Sequence, residues 1–199
     1  MPKSLFARSV EAAAKKGLAP LSKSSTEWYR GYVRTHARGT QSINSLGKSK
    51  DMKISTHLKM GHMYFFAYDA KFKDTLPYWD AAPLIIPIGE TPTTIMGLNL
   101  HYLPFQYRVP LMDALYGLLT NTTMDETTKL KVSYQILKSA AKYKYFKPCL
   151  KQYLKTNFMS KFIEVPVQYW ETAIFLPVAQ WKNASVATVH KDSTRIIKR

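Results

Sequence analysis

The chain has 199 residues, 46% apolar and 13% aromatic, which is too much hydrophobic surface for a disordered polypeptide and enough for one domain with a core. Twenty-nine Lys and Arg stand against 13 Asp and Glu, a formal charge of +16 that points to a polyanionic partner, because net charge governs steering and association rather than fold. The single cysteine, Cys149, excludes an internal disulfide framework, and no apolar run reaches the ~20 residues of a membrane span.

Residues 4–16 read as a short helix that Gly17 stops. Lys3, Arg8, Lys15 and Lys16 interrupt the apolar stretch that a secretory signal would need. Ser24 and Glu27 have capping-box spacing before a second helix that runs to about Arg38, with Arg30, Arg34 and Arg38 at successive i, i+4 positions. Thr40 to Ser55 is rich in Ser, Asn, Gly and Lys and reads as a linker. Met63–Tyr68, Leu84–Ile88 and Ile95–Leu103 have the β-branched and aromatic content of strands, and three strands so close together favour an antiparallel sheet. Pro83 and Pro87 lack a backbone donor, which places the second of them at an edge or limits it to a short paired stretch.

Leu111–Leu119 reads as a helix with Pro110 at its first turn. Thr123 and Glu126 repeat the capping-box spacing before a helix with the stripe Leu130, Tyr134, Leu137 and Ala141. Pro148 opens a further helix ending near Phe158, and Phe162–Val165 and Ala173–Leu176 read as short strands. Lys182 to Arg199 shows little apolar periodicity beyond Val186, Val189, Ile196 and Ile197, and reads as a tail or a helix that forms with a partner. The expected organisation is a basic helical arm and linker over 1–59, an α+β domain over 60–182 and a basic tail over 183–199. The domain is expected to hold a small antiparallel, partly open barrel-like sheet with inserted helices, and a core of Met63, Phe65, Leu84, Ile86, Leu98, Leu100, Ile163, Val165, Ile174 and Leu176.

Charge is segregated along the chain. Residues 1–59 carry 12 basic and 3 acidic groups, residues 60–128 carry 3 and 7, residues 129–165 carry 9 and 1, and residues 166–199 carry 5 and 2. Segregation favours a binding surface over solubilising charge, which mixes signs, although basic helices with merely solvated faces give the same pattern. On helical geometry Lys131, Lys138 and Lys142 share one face, and Lys147, Lys151 and Lys155 line another beside Tyr153. With the arginine stripe, these lysines suit a phosphate backbone, where each neutralised phosphate releases a counterion without any base being read. An acidic protein surface would serve as well.

Catalytic signatures are missing: the chain has no phosphate loop, no dinucleotide fingerprint and no Gly-x-Ser-x-Gly elbow. His36, His57, His62, His101 and His190 never fall close together in sequence, and one cysteine builds no structural zinc site. No cofactor, metal or small-molecule substrate is expected, and His101 reads as a satisfied core or edge histidine. The strongest enzymatic alternative is a metal-dependent nuclease using Asp69 and Lys71, with Asp74, Asp80 or Glu90 as a further ligand, although these acids read more simply as solvated loop charges.

The run GHMYFFAYDAKFKDTLPYWDAAPLIIPI, then MGLNLHYLP, RVPLMDALYGLL, TTKLKVSYQILKSAAKYKYFKPCLKQYL and SKFIEVPVQYWETAIFLP, resembles the DNA end protector proteins, minor virion proteins of large contractile-tailed bacteriophages. The resemblance covers roughly residues 60–182. It implies a non-enzymatic virion protein bound to the end of packaged double-stranded DNA at the head side of the portal. There it would shield the DNA from host exonuclease, acting in the virion and in the host cytoplasm during assembly and after ejection. It implies no catalytic residues. The alternative is a structural neck, tail or baseplate subunit, part of a head–tail connector, whose basic surfaces meet acidic portal, neck or tail proteins.

Overall fold

A computed structural model of the chain describes residues 12, 15–17, 53–104, 107–109, 112, 123–125, 128, 132, 135–136, 144–166, 170 and 179–199. Its strands are β1 (Lys53–Ser55), β2 (Met63–Phe65), β3 (Trp79–Asp80), β4 (Leu84–Glu90), β5 (Thr94–Asn99), β6 (Leu150–Leu154), β7 (Phe162–Val165) and β8 (Trp181–Lys182), followed by helix α1 (Val186–Lys198). Among the described residues, the main sheet has six antiparallel strands in the order β1-β7-β2-β4-β5-β6, and β3 pairs with β8 in a separate ladder. The class is α+β, as expected, with the sheet dominant among the described residues.

The expected barrel does not close. The edge strands β1 and β6 pair inward, with β7 and β5. The chain leaving β6 turns through the 3₁₀ segment Lys155–Asn157 and bonds to the continuation of β2, with the Asp69 N–H donating to Asn157 O (3.1 Å) and the Met159 N–H to Ala67 O (2.9 Å). That crossing carries it into β7 without a ladder between the edges.

β4 lies in the interior of the sheet, and Pro87 within it is tolerated for local reasons. The pairing of β4 with β2 spans only Ile85 and Leu84, and the register with β5 shifts between Pro87 and Gly89, so no ladder bond is asked of the missing donor. The Pro87 carbonyl still accepts from the N–H of Gly61, a residue at φ 82° that a side chain would strain. On the facing strand, a Cβ at Gly97 would stand 2.9 Å from Ile85 Cδ1, so glycine lets β5 lie flat against β4.

Both faces of the sheet are covered, so β4 is an apolar run rather than an alternating one. One face holds Met63, Leu84, Ile86, Leu98, Leu100 and Val165, the expected core, together with Cys149, Trp170 and α1 residues Val189 and Ile197. Phe65 packs at its margin, Ile163 is half-buried, and Ile174 and Leu176 lie outside the described residues. The other face is an aromatic cluster unforeseen in the sequence, in which Phe66 meets Phe158, Phe162 and Tyr153 edge-on at 5.1, 5.4 and 5.7 Å.

Three expectations for local structure are revised. Residues 148–158 form β6 flanked by 3₁₀ turns instead of a helix. A four-residue spacing is even, so it aligns Lys147, Lys151 and Lys155 on a strand as well as on a helix. The exposed edge of β5 then decides in favour of pairing, from Leu98↔Leu150 to Thr94↔Leu154. The expected linker ends in β1, which pairs with β7. The C-terminal segment is a folded helix, N-capped by Ser185, whose Oγ accepts from the Thr188 N–H (3.1 Å).

Elsewhere, Ala12 and Lys15 are helical, and Gly17 (φ 64°) has the left-handed conformation of a helix stop. Asp125 accepts both the N–H and the hydroxyl of Thr128, a capping geometry at the position before Glu126. The expected helix over 24–38, the greater part of those over 111–119 and 126–141, and the strand at 173–176 fall outside the described residues. Among the described residues, no helix is long and apolar enough to cross a membrane.

Candidate nucleic-acid interface

Helix α1 turns a basic sequence into a fixed basic surface. Val189, Ser193 and Ile197 at i, i+4 spacing, with His190, are buried against the first core face, while Lys191, Arg195 and Lys198 at i, i+4, i+7 are exposed. A polar tie holds its rotation. His190 Nε2 donates to the His101 carbonyl (2.9 Å), and Asp192, paired with Arg195 on the same helix (3.1 Å), faces Tyr78, whose pKa burial and then the Asp192 charge raise. α1 packs against the 3₁₀ segment Lys144–Cys149, which presents the exposed Lys147.

The lysine stripe expected on 147–155 divides into three environments. Lys147 is exposed. Lys151 is half-buried with its ammonium 3.9 Å from the centre of the Tyr102 ring, and burial pulls its pKa down to about 8. Lys155 bonds to Glu90 Oε1 (2.5 Å). Arg30, Arg34, Arg38, Lys131, Lys138 and Lys142 lie outside the described residues. The cations of α1 were missed because His190 and Ser193 sit on its buried face and hide the apolar stripe; the signal that could have shown it is the i, i+4, i+8 spacing of Val189, Ser193 and Ile197.

Beneath α1 lies a polar core. The Asp80 carboxylate is 3% exposed and accepts four bonds: Oδ1 from the N–H groups of Ala82 and Gln180 (both 3.0 Å), Oδ2 from Asn99 Nδ2 (3.2 Å) and His101 Nδ1 (2.6 Å). Burial raises its pKa, but His101 and the other donors outweigh burial and hold it below the ordinary value. Asn99 also donates to the Tyr153 hydroxyl (3.1 Å). Arg108 is buried and donates to the carbonyls of Leu103 (2.6 Å) and His101 (3.4 Å). Cys149 is fully buried, its thiol donating to Phe146 O, and burial pushes its pKa up to about 12, so it behaves as a small apolar residue.

His190 makes this core sensitive to acid. Burial, then the charge of Arg108, lowers its pKa to about 4. A base depressed in the folded state takes up its proton first in the unfolded state, so the stabilisation is complete above about pH 6.5 and is lost as the pH falls toward 4. Urea denaturation is expected to show a slope of about 1.4 kcal/mol per pH unit across that window, abolished in His190→Gln.

Beside β6 the fold leaves a cavity of about 500 Å³, bordered by Phe72, Tyr78, Trp79, Tyr102, Lys71 and Lys151 among others. The carboxylates considered for a nuclease do not converge: Asp69 pairs with Lys73 (2.7 Å), Glu90 with Lys155, Asp80 is buried with His101, and Asp74 is exposed. Among the described residues, no three His, Cys, Asp or Glu side chains are grouped to hold a metal. His101 is buried in the core, but it is not fully satisfied as expected, since its Nε2 lacks a hydrogen-bond partner.

The family model described as phage T4 terminal DNA protecting protein matches residues 4–191. No curated protein and no solved structure matches the chain. Because that match runs from the first basic segment through every strand of both sheets and into α1, the chain belongs to the phage T4 terminal DNA protecting protein family.

Proposed function

We propose that this protein is a non-enzymatic virion protein that covers the ends of packaged double-stranded DNA and shields them from exonuclease through sequence-independent phosphate contacts. The observation that carries the reading is the basic face of α1, held in place by a buried stripe and the His190–His101 bond, in a chain of net charge +16 from a terminal DNA protecting family. Lys191, Arg195 and Lys198, with Lys147, are the described cations assigned to DNA. Arg30, Arg34, Arg38, Lys131, Lys138 and Lys142 extend the set into the N-terminal arm and the second basic segment. Lys151 and Lys155 serve the fold first, through Tyr102 and Glu90. The protein acts in the virion and on DNA delivered to the host cytoplasm.

The test is digestion of linear duplex by a double-strand exonuclease with and without saturating protein. Linear DNA is expected to survive when the protein is bound, and to stay intact with protein and magnesium alone. Unimpeded digestion, or cleavage by the protein itself, would refute the proposal.

A further inference from the structure

The cavity beside β6 combines two kinds of group that together fit one ligand. Aromatic rings supply the walls: Phe72 at the largely exposed rim, Tyr78 and Trp79 beyond it, and Tyr102 deeper in. Lysines supply the charge, with Lys71 exposed at the mouth and Lys151 inside.

Lys151 is the informative residue. Its ammonium sits over the Tyr102 ring, and no carboxylate among the described residues pairs with it. Asp80 borders the same cavity, but both of its oxygens are committed to the four donors named above. A half-buried cation facing aromatic surface and lacking a counter-anion is complementary to a group that brings a flat ring and a negative charge together. The lowered pKa of Lys151 agrees, since an arriving anion would restore what burial removes.

We propose that this cavity holds the terminal nucleotide of a DNA strand, its base stacked among the aromatic side chains and its 5′-phosphate paired with Lys151 and Lys71. The inference rests on the end-binding reading above and adds to it a site that separates an end from the interior of a duplex. About 500 Å³ is within the range of small-ligand pockets and admits one nucleotide, not a base pair in a helix. Only an end nucleotide can leave its stack on one side at small cost, and aromatic stacking accepts any base, so the recognition is sequence-blind.

The experiment measures affinity for three DNA forms of equal length: linear duplex with 5′-phosphate ends, the same duplex with 5′-hydroxyl ends, and a covalently closed duplex. The 5′-phosphate form is expected to bind about ten-fold tighter than the 5′-hydroxyl form. Lys151→Met, which keeps the apolar stem over Tyr102, is expected to erase that ratio while leaving affinity for closed DNA unchanged. Phe72→Ala, a change at an exposed position, is expected to weaken both linear forms and spare the closed one. A terminal 5-iododeoxyuridine is expected to photocross-link within the cavity. Equal affinity for both linear ends, a ratio that survives both variants, or cross-links confined to α1 would overturn the terminal-nucleotide site while leaving duplex binding in place. Failure to bind any of the three forms would overturn duplex binding as well.

Discussion

Asp80→Ala is expected to lower the stability of the protein by about 3–5 kcal/mol, a large share of the 5–15 kcal/mol typical of a domain. The side chain ties four donors from three parts of the chain: Ala82 beside it, Asn99 and His101 at the end of β5, and Gln180 just before β8. Removing the carboxylate leaves those donors buried without an acceptor, and each such group costs about 1–3 kcal/mol where water cannot reach it. Asp80→Asn keeps one acceptor oxygen and is expected to fall between wild type and Asp80→Ala. The check is urea denaturation followed by tryptophan fluorescence at neutral pH. A loss below about 1 kcal/mol would show that the network relaxes around the gap. Because the Asp80 pKa is depressed, its contribution is intact above its ordinary value of 3.8 and is lost only as the pH falls through the lower folded value, so its loss falls below the window in which His190 acts.

Neutralising the basic surface is expected to have the largest effect on function. Replacing Lys147, Lys191, Arg195 and Lys198 together with Gln is expected to weaken duplex binding by about two to three orders of magnitude near 0.1 M salt, since each lost phosphate contact forfeits one released counterion. The salt slope is expected to fall by about one for each contact removed, equally for any DNA sequence. All four positions are exposed and Gln keeps helix propensity, so the variant should unfold with unchanged cooperativity. The lost Asp192–Arg195 pair is solvent-exposed and contributes little. The same substitution at Lys151 and Lys155 would be a poorer probe of DNA contact, because it also disturbs packing on Tyr102 and the pair with Glu90. Affinity within threefold of wild type would remove this face from the interface.

Much of the sheet was legible because its strands carry their own local signal. Phe162–Val165 corresponds to β7 residue for residue, and the runs after Gly61, Pro83 and Thr94 are apolar segments bounded by turn-formers. β6 was not legible, since its lysine spacing satisfies both periods and only the partner β5 decides. β1 and β3 are two or three residues long and exist through pairing with distant β7 and β8. The second core face escaped notice because alternation along each strand invites a choice of one face, whereas this sheet buries both. Asp80 reads as a loop charge in isolation, and its partners stand 19, 21 and 100 residues away. Basicity pointed to the class of partner; which cations are exposed to meet it depended on the tertiary environment of each.

The proposed function requires this chain to close off a duplex end by opposing its own positive charge to the phosphates. The most direct measurement is the rate of exonuclease digestion of linear duplex at saturating protein, followed as salt is raised from 0.05 to 0.5 M with the intrinsic rate of the nuclease measured in parallel. Protection is expected at low salt, failing steeply as salt rises and failing earlier in the variant lacking the four cations. Protection that persists unchanged across the range, or that the variant retains in full, would contradict the proposed function.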